Sequence, residues 1–258
     1  MGALDPEGAR SLDYAFLESP SVAAARGVQY RERRIEGLRV LEVVLGPVDF
    51  DAPLPVVLQI HGRGDRARLP EGRYDRTNTP LRMLIPEAPR RLGLGFSWAP
   101  HSITEKKPFT LGAALTREAD RLHRVLTYIE ATRQVVGRPI VTGFSQGGML
   151  TLMVALRHPE AISIAVPMAG FVPPHLIPGP ADPAHRVPIR ALHGTADPTV
   201  ALAPTQVLVR RLQHLGYDIT LEEYPDVVHE VSEPMRRRYR ELLRSVIAGF
   251  SGPLGPSA

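Results

Sequence analysis

The chain has 258 residues, of which 43% are hydrophobic and 22% charged, with a formal net charge of +4. That length and balance suit one globular domain with a sizeable core and exclude a chain disordered throughout. No stretch approaches the roughly 18 consecutive apolar residues of a membrane span, and the lack of cysteine excludes disulfides, zinc–thiolate sites and a thiol nucleophile.

The opening Met1-Gly2-Ala3-Leu4-Asp5-Pro6-Glu7 has neither a basic start nor an apolar core, so no secretory signal is expected. Pro6 also stands where a myristoylation motif needs serine or threonine, so no stable membrane anchor is expected and the cytoplasm is the default location. Residues 1–27 read as an N-terminal extension, 28–250 as a single domain, and 251–258 as a flexible glycine- and proline-rich tail. Val28 to Arg34 and Leu38 to Leu45, parted by Glu36-Gly37, predict an antiparallel hairpin that starts the sheet. Parallel strands are expected near 54–60, 81–85, 139–142, 162–168, 187–192 and 217–224, with helical stretches between them. This alternation predicts an α/β fold, a mostly parallel central sheet with helices on both faces. Leu111, Leu115, Leu122, Val125, Leu126 and Ile129 keep helical spacing and should face the sheet. So should Met235, Tyr239, Leu242, Leu243, Val246, Ile247 and Phe250, behind a Ser232 cap and Pro234 in the first turn.

Gly143-Phe144-Ser145-Gln146-Gly147 lies between the short β-branched run Pro139 to Thr142 and the apolar helix Met149 to Leu156. Glycines on either side of a serine let the chain turn sharply from strand to helix and lift the hydroxyl clear of the sheet, the pattern of a nucleophile elbow. A serine hydroxyl needs a base, and the base needs an orienting acid. Asp197 and His229 follow in the required order, each just past a predicted strand. Taken alone, Asp197 before Pro198 suits a turn and His229 suits a surface position ahead of the last helix. Asp226 is a rival acid, but it sits three residues from His229 on the same loop. Together, order and placement favour Ser145 as nucleophile, His229 as base and Asp197 as the acid behind it. The backbone N–H groups of Gln146 and of Arg63, in His61-Gly62-Arg63-Gly64-Asp65, are the expected oxyanion donors. His61 should brace that loop and transfer no proton.

Five motifs, His61-Gly62-Arg63-Gly64-Asp65, Pro86-Glu87-Ala88-Pro89 with Trp98 shortly after, Gly143 to Gly148, His193 to Pro198, and His229, carry a resemblance. Across roughly residues 54 to 250 the chain resembles the phospholipase/carboxylesterase family of α/β-hydrolases, which includes acyl-protein thioesterases and small bacterial carboxylesterases. The resemblance implies a triad of Ser145, Asp197 and His229, oxyanion donors at Arg63 and Gln146, and hydrolysis of carboxylic esters or thioesters without a cofactor or metal. It also offers Trp98, with Leu94 and Phe96, as an apolar substrate wall. Arg63 departs from the apolar residue usual at its position, which changes the mouth of the site.

Phe171 to Pro178 follows a strand beside the nucleophile helix, and two roles fit it: Phe171 and Leu176 line an acyl pocket, or the segment is a stiff surface connection. Arginine supplies nearly all the positive charge, Lys106 and Lys107 being the only lysines. It is interleaved with acids as in Arg31-Glu32-Arg33-Arg34, without the aromatics of a base-stacking surface, so nucleic acid is not an expected partner. The expected partner is a small acyl ester or thioester. A non-catalytic binding protein of the same fold is the alternative, and so is a serine peptidase, which would need an extra domain that the length does not accommodate.

Overall fold

A computed structural model describes residues 27–70, 79–102, 105 and 107–250. The expected extension up to residue 26 and the tail at 251–258 lie outside the described residues. The sheet begins with β1 (Val28–Ile35) and β2 (Leu38–Leu45), joined at Glu36 and Gly37. Both turn residues have positive φ, 53° and 74°, the left-handed pair that matches the twist of a two-residue hairpin. The core strands are β3 (Val56–Ile60), β4 (Leu81–Pro86), β7 (Ile140–Phe144), β8 (Ile164–Met168), β9 (Ile189–Gly194) and β10 (Ile219–Tyr224). They assemble in the order β1-β2-β4-β3-β7-β8-β9-β10, and β2 alone runs against its neighbours. The predicted strands and their parallel sense are all present.

Alternation along the strands divides the core in two, because successive side chains point to opposite faces. Val56, Leu58 and Ile60 pack in one layer with α1 (Pro108–Thr132), α2 (Gln146–Arg157) and α3 (Leu202–His214). Val57 packs in the other, against Met235, Tyr239, Leu243 and Ile247 of α4 (Glu233–Phe250). Helices therefore cover both faces, as the sequence predicts. The expected cap on α4 is not made: Ser232 Oγ is buried without a hydrogen-bond partner. Pro234 has no N–H to donate, which removes one of the amides that such a cap serves.

A buried ion cluster ties the antiparallel side of the sheet to the end of α1. Glu42 on β2 and Arg82 on β4 are both fully buried and joined by a charged hydrogen bond. Arg33 Nε donates to Glu42 Oε2 at 2.6 Å and Arg133 Nε donates to Oε1 at 2.9 Å. The second arm of Arg82 donates to the carbonyls of Phe50 and Ala52, at 2.8 and 3.2 Å. Burial by itself would raise the Glu42 pKa. The bonds from Arg133 and Arg33 outweigh it and hold the carboxyl below its usual range.

One element escapes the sequence reading. β5 (Arg90–Leu92) and β6 (Gly95–Ser97) form a short separate hairpin with a turn through Gly93 and Leu94. It matters because β6 lies against the loop that follows β3.

Candidate active site

Three crossover connections deliver the site to one rim of the sheet. β3 has β4 on one side and β7 on the other, so the chain reverses its winding direction there, and the loops after β3 and β7 open a crevice at the strand ends. Ser145 follows β7 directly and holds φ 58° and ψ −118°, a strained backbone for a residue with a side chain. Packing enforces it. A Cβ on Gly147 would stand 2.2 Å from the Ile60 carbonyl oxygen, and one on Gly143 would stand 2.5 Å from Gly147. The glycine spacing is thus required by the close approach of β3 to the start of α2. Ser145 N donates to the Met168 carbonyl at 2.9 Å, which anchors the strained residue to β8.

His229, on the loop between β10 and α4, turns its Nε2 to Ser145 Oγ at 2.9 Å. Its Nδ1 lies 2.7 Å from Asp197 Oδ2. Phe144 packs on the imidazole face with ring centroids 4.7 Å apart. Asp197, after β9, is held in place through its other oxygen, which accepts from the Thr199 and Val200 amides, both at 2.9 Å. With a carboxylate against Nδ1, that nitrogen carries the proton and Nε2 presents its lone pair to the serine hydroxyl. Asp226 is exposed, and its amide donates to Thr195 Oγ1 at 3.0 Å. The structure brings the sequence-predicted Ser145, Asp197 and His229 together.

The amides of Gln146 and Arg63 belong to the rims of the same crevice. Gln146 is the first residue of α2, where helix amides have no internal acceptor. Its side chain, which the sequence reading leaves unused, fixes the rim: Oε1 accepts from Trp98 N at 2.8 Å and Ser97 Oγ at 3.2 Å. On the other side, β6 grips the loop after β3. Gly64 N donates to the Phe96 carbonyl and Phe96 N donates to the Asp65 carbonyl, each at 2.8 Å.

His61 braces this loop. Ala88 N donates to its Nε2 at 3.0 Å, and its Nδ1–H donates to the Gly62 carbonyl at 2.7 Å. The expected substrate wall at Trp98 is corrected. Trp98 is fully buried, its Nε1 donates to the His61 carbonyl at 2.9 Å, and its ring packs on the His61 ring. It supports the loop from beneath and presents no surface to a ligand. Phe171 and Leu176 are partly buried against the core, and Leu176 sits over Gly112 of α1. Neither lines the space beside the serine.

That space is a cavity of about 220 Å³ whose lining includes Ser145, His229, Gln146, Arg63, Leu111 and Met149. Leu111 and Met149 read from the sequence only as core positions of their helices. A larger cavity of about 430 Å³ lies on the far side of His229, among Asp65, Arg66, Arg68 and Arg236, and does not include Ser145.

Burial lowers the pKa of both His61 and His193, the second bracing the loop after β9 through Nε2–H to the Val200 carbonyl at 2.8 Å. Below about pH 6.5 the unfolded chain takes up protons at these positions while the native protein does not. Stability is therefore full near neutrality and falls as the solution is acidified towards the native pKa values, by up to roughly 1.4 kcal/mol per pH unit for each histidine. Urea midpoints at pH 7.5 and 5.5 should differ accordingly, and the double variant His61→Gln, His193→Gln should show a shallower pH slope than the parent. An equal slope would refute this account.

A family profile described as Phospholipase/Carboxylesterase matches residues 108–247, just over half of the chain. A probable carboxylesterase SOBER1-like of Arabidopsis thaliana is 32% identical over 94 residues, 36% of each chain. Carboxylesterase SOBER1 of the same plant is 27% identical over 113 residues, 43% of this chain and 50% of that one. The matched stretch thus spans between a third and a half of these relatives' own length. Among solved structures, esterase PE8 superposes with a TM-score of 0.66 at 22% identity, covering 76% of this chain and 94% of that one. Zea mays acyl-protein thioesterase 2 superposes with a TM-score of 0.60 at 20% identity, covering 80% of this chain and 98% of that one. The structural likenesses establish the α/β-hydrolase fold, and the profile match carries the assignment: the chain belongs to the phospholipase/carboxylesterase family.

Proposed function

We propose that the protein is a carboxylic ester hydrolase, able also to take thioesters, that works through an acyl-enzyme on Ser145. The observation that carries this reading is the continuous chain from Ser145 Oγ through His229 to Asp197, at 2.9 and 2.7 Å, on a strained strand-to-helix turn. Ser145 attacks the acyl carbonyl as His229 Nε2 takes its proton. The tetrahedral intermediate places its oxyanion against the Arg63 and Gln146 amides, and its collapse releases the alcohol or thiol, protonated by His229. A water activated by the same imidazole then frees the acid. Asp197 holds the ring orientation and stabilises the imidazolium. The cavity of about 220 Å³ is smaller than the roughly 300–1,000 Å³ typical of drug-sized ligands, so a short acyl group suits it best.

The test pairs a fluorophosphonate probe with turnover of p-nitrophenyl esters of increasing chain length and one acyl-thioester. Expected are covalent labelling at Ser145 and highest kcat/KM for short chains. A protein that neither labels nor turns over any ester is a binding protein, and the proposal fails.

Asp197→Asn should lower kcat by roughly 10⁴-fold, the scale seen when a triad carboxylate becomes an amide and the imidazole tautomer is lost. Asp226→Asn should change it less than about threefold, since that side chain is exposed and Asp197 already occupies His229 Nδ1. Equal losses would reassign the acid. Arg63 extends the reading to substrate choice. It is exposed and lines the Ser145 cavity, a planar cation at the mouth. Arg63→Leu keeps the backbone N–H, so turnover of a neutral ester should stay within a few-fold, while kcat/KM for a carboxylate-bearing ester falls about tenfold. An unchanged ratio between the two substrates would remove the side chain from selection.

A further inference from the structure

The side chain of Gln146 has two polar ends, and the fold uses only one of them. Oε1 accepts from Trp98 N at 2.8 Å and from Ser97 Oγ at 3.2 Å. A backbone N–H can only donate, so the oxygen must face Trp98 and the carboxamide cannot be turned over. The nitrogen is thereby turned away from that contact, and among the described residues Nε2 has no hydrogen-bond partner. Gln146 is only 4% exposed, yet Nε2 is not one of the interior atoms sealed off without a partner. It opens on the cavity that Gln146 borders together with Ser145.

This donor is fixed in place. Gln146 begins the buried helix α2, and its anchor Trp98 is fully buried and tied to the His61 carbonyl. Swinging Nε2 aside would break the bond that satisfies the Trp98 amide. The cavity around it is walled by carbon, from Leu111, Met149 and Val200, all buried. Arg63 and Thr199, both exposed, stand at its mouth. An all-carbon acyl chain that fills the cavity covers the amide and leaves its N–H groups without an acceptor. An acyl group with an ether, keto or hydroxyl oxygen supplies one. A site that offers a fixed hydrogen bond discriminates strongly against the analogue that cannot make it.

We propose, resting on the hydrolase reading above, that Gln146 Nε2 is a specificity-determining donor. It selects short acyl groups that carry a neutral acceptor oxygen over alkyl groups of the same length. The role is separate from that of the Gln146 backbone N–H, which faces the oxyanion, and from that of the Arg63 guanidinium, which suits an anion.

The experiment compares kcat/KM for two matched pairs of p-nitrophenyl esters, methoxyacetate with butanoate and 3-methoxypropanoate with pentanoate. Each value is divided by the ester's hydroxide-catalysed rate constant, which removes the activation due to the ether oxygen itself. The parent should favour the ether by about tenfold or more in at least one pair. Gln146→Glu keeps an oxygen for the Trp98 amide and keeps its own backbone N–H, but turns the donor end into an acceptor. It should slow all four esters and bring the ratio below about twofold. Arg63→Leu should leave the ratio as in the parent. Parity in both pairs for the parent, a comparison that needs no variant to fold, would overturn the proposal. So would a preference that survives Gln146→Glu, or one that disappears in Arg63→Leu. Turnover of butanoate without an ether preference refutes this inference alone, whereas no turnover of any ester by the parent brings down the hydrolase reading and this inference with it.

Discussion

Ser145→Ala should abolish nearly all ester turnover, on the order of 10³-fold or more in kcat, while the melting temperature stays within a few degrees of the parent. The size follows from what the hydroxyl does. No other hydroxyl faces His229 Nε2, which has Ser145 Oγ 2.9 Å away as its single hydrogen-bond partner among the described residues. Residual rate would come from the amides of Arg63 and Gln146 acting on a water-driven reaction. Alanine removes one oxygen and leaves the backbone to the packing of Gly143, Gly147 and Ile60, which enforces the turn whatever the side chain. Parallel measurement of kcat on the best p-nitrophenyl ester and of Tm separates the two effects. A variant with more than a tenth of parental turnover, or one that melts far below the parent, would show that Ser145 is not the nucleophile or that the hydroxyl also holds the fold.

Glu42→Gln should be the most damaging single change to stability. The carboxylate is the shared acceptor of Arg33, Arg82 and Arg133, and Arg82 is fully buried with it. Removing the anion strands that guanidinium charge, and breaking a buried pair from one side costs about 3–5 kcal/mol. For a domain of this size the fall in Tm should be on the order of 10 °C. Glu36→Gln is the control, since it breaks an exposed pair with Arg124 and should cost less than about 1 kcal/mol. Chemical denaturation of both variants makes the comparison. Similar losses would mean that the cluster is not the stabilising feature described.

Much of this was legible because the informative residues are local. Ser145 announces itself through glycines two residues away, and Asp197 and His229 through the strands that end just before them. The short, largely apolar run at Val56 to Ile60 marks a strand buried on both faces, and helical spacing at Leu111 to Ile129 marks a helix with one buried face. What stayed hidden depends on residues far apart in the chain. β5 and β6 have three residues each, too short to show a period, yet they hold the loop after β3. Trp98 was offered as a substrate wall by the family resemblance alone. Its indole N–H found a partner beneath the loop, and only the fold reveals that. Glu42 sits in an apolar strand, and its partner Arg133 arrives from the end of α1. Ser232 had the right chemistry for a cap, but its hydroxyl faces no amide.

The helix that carries the serine has a mechanical consequence. Every residue of α2 from Gln146 to Leu156 is buried, enclosed by the sheet on one side and α1 on the other. An element jammed on all sides can neither slide nor tilt without opening voids, because protein interiors resist compression. The reactive oxygen therefore stands at the tip of a stiff piston whose stroke is close to zero. Accommodation of different acyl groups falls to the rim, where the Arg63 and Thr199 side chains are exposed. Reactivity and tolerance of acyl size are thus held by different parts of the molecule, and the rim can be rebuilt for new substrates while the tip keeps its aim.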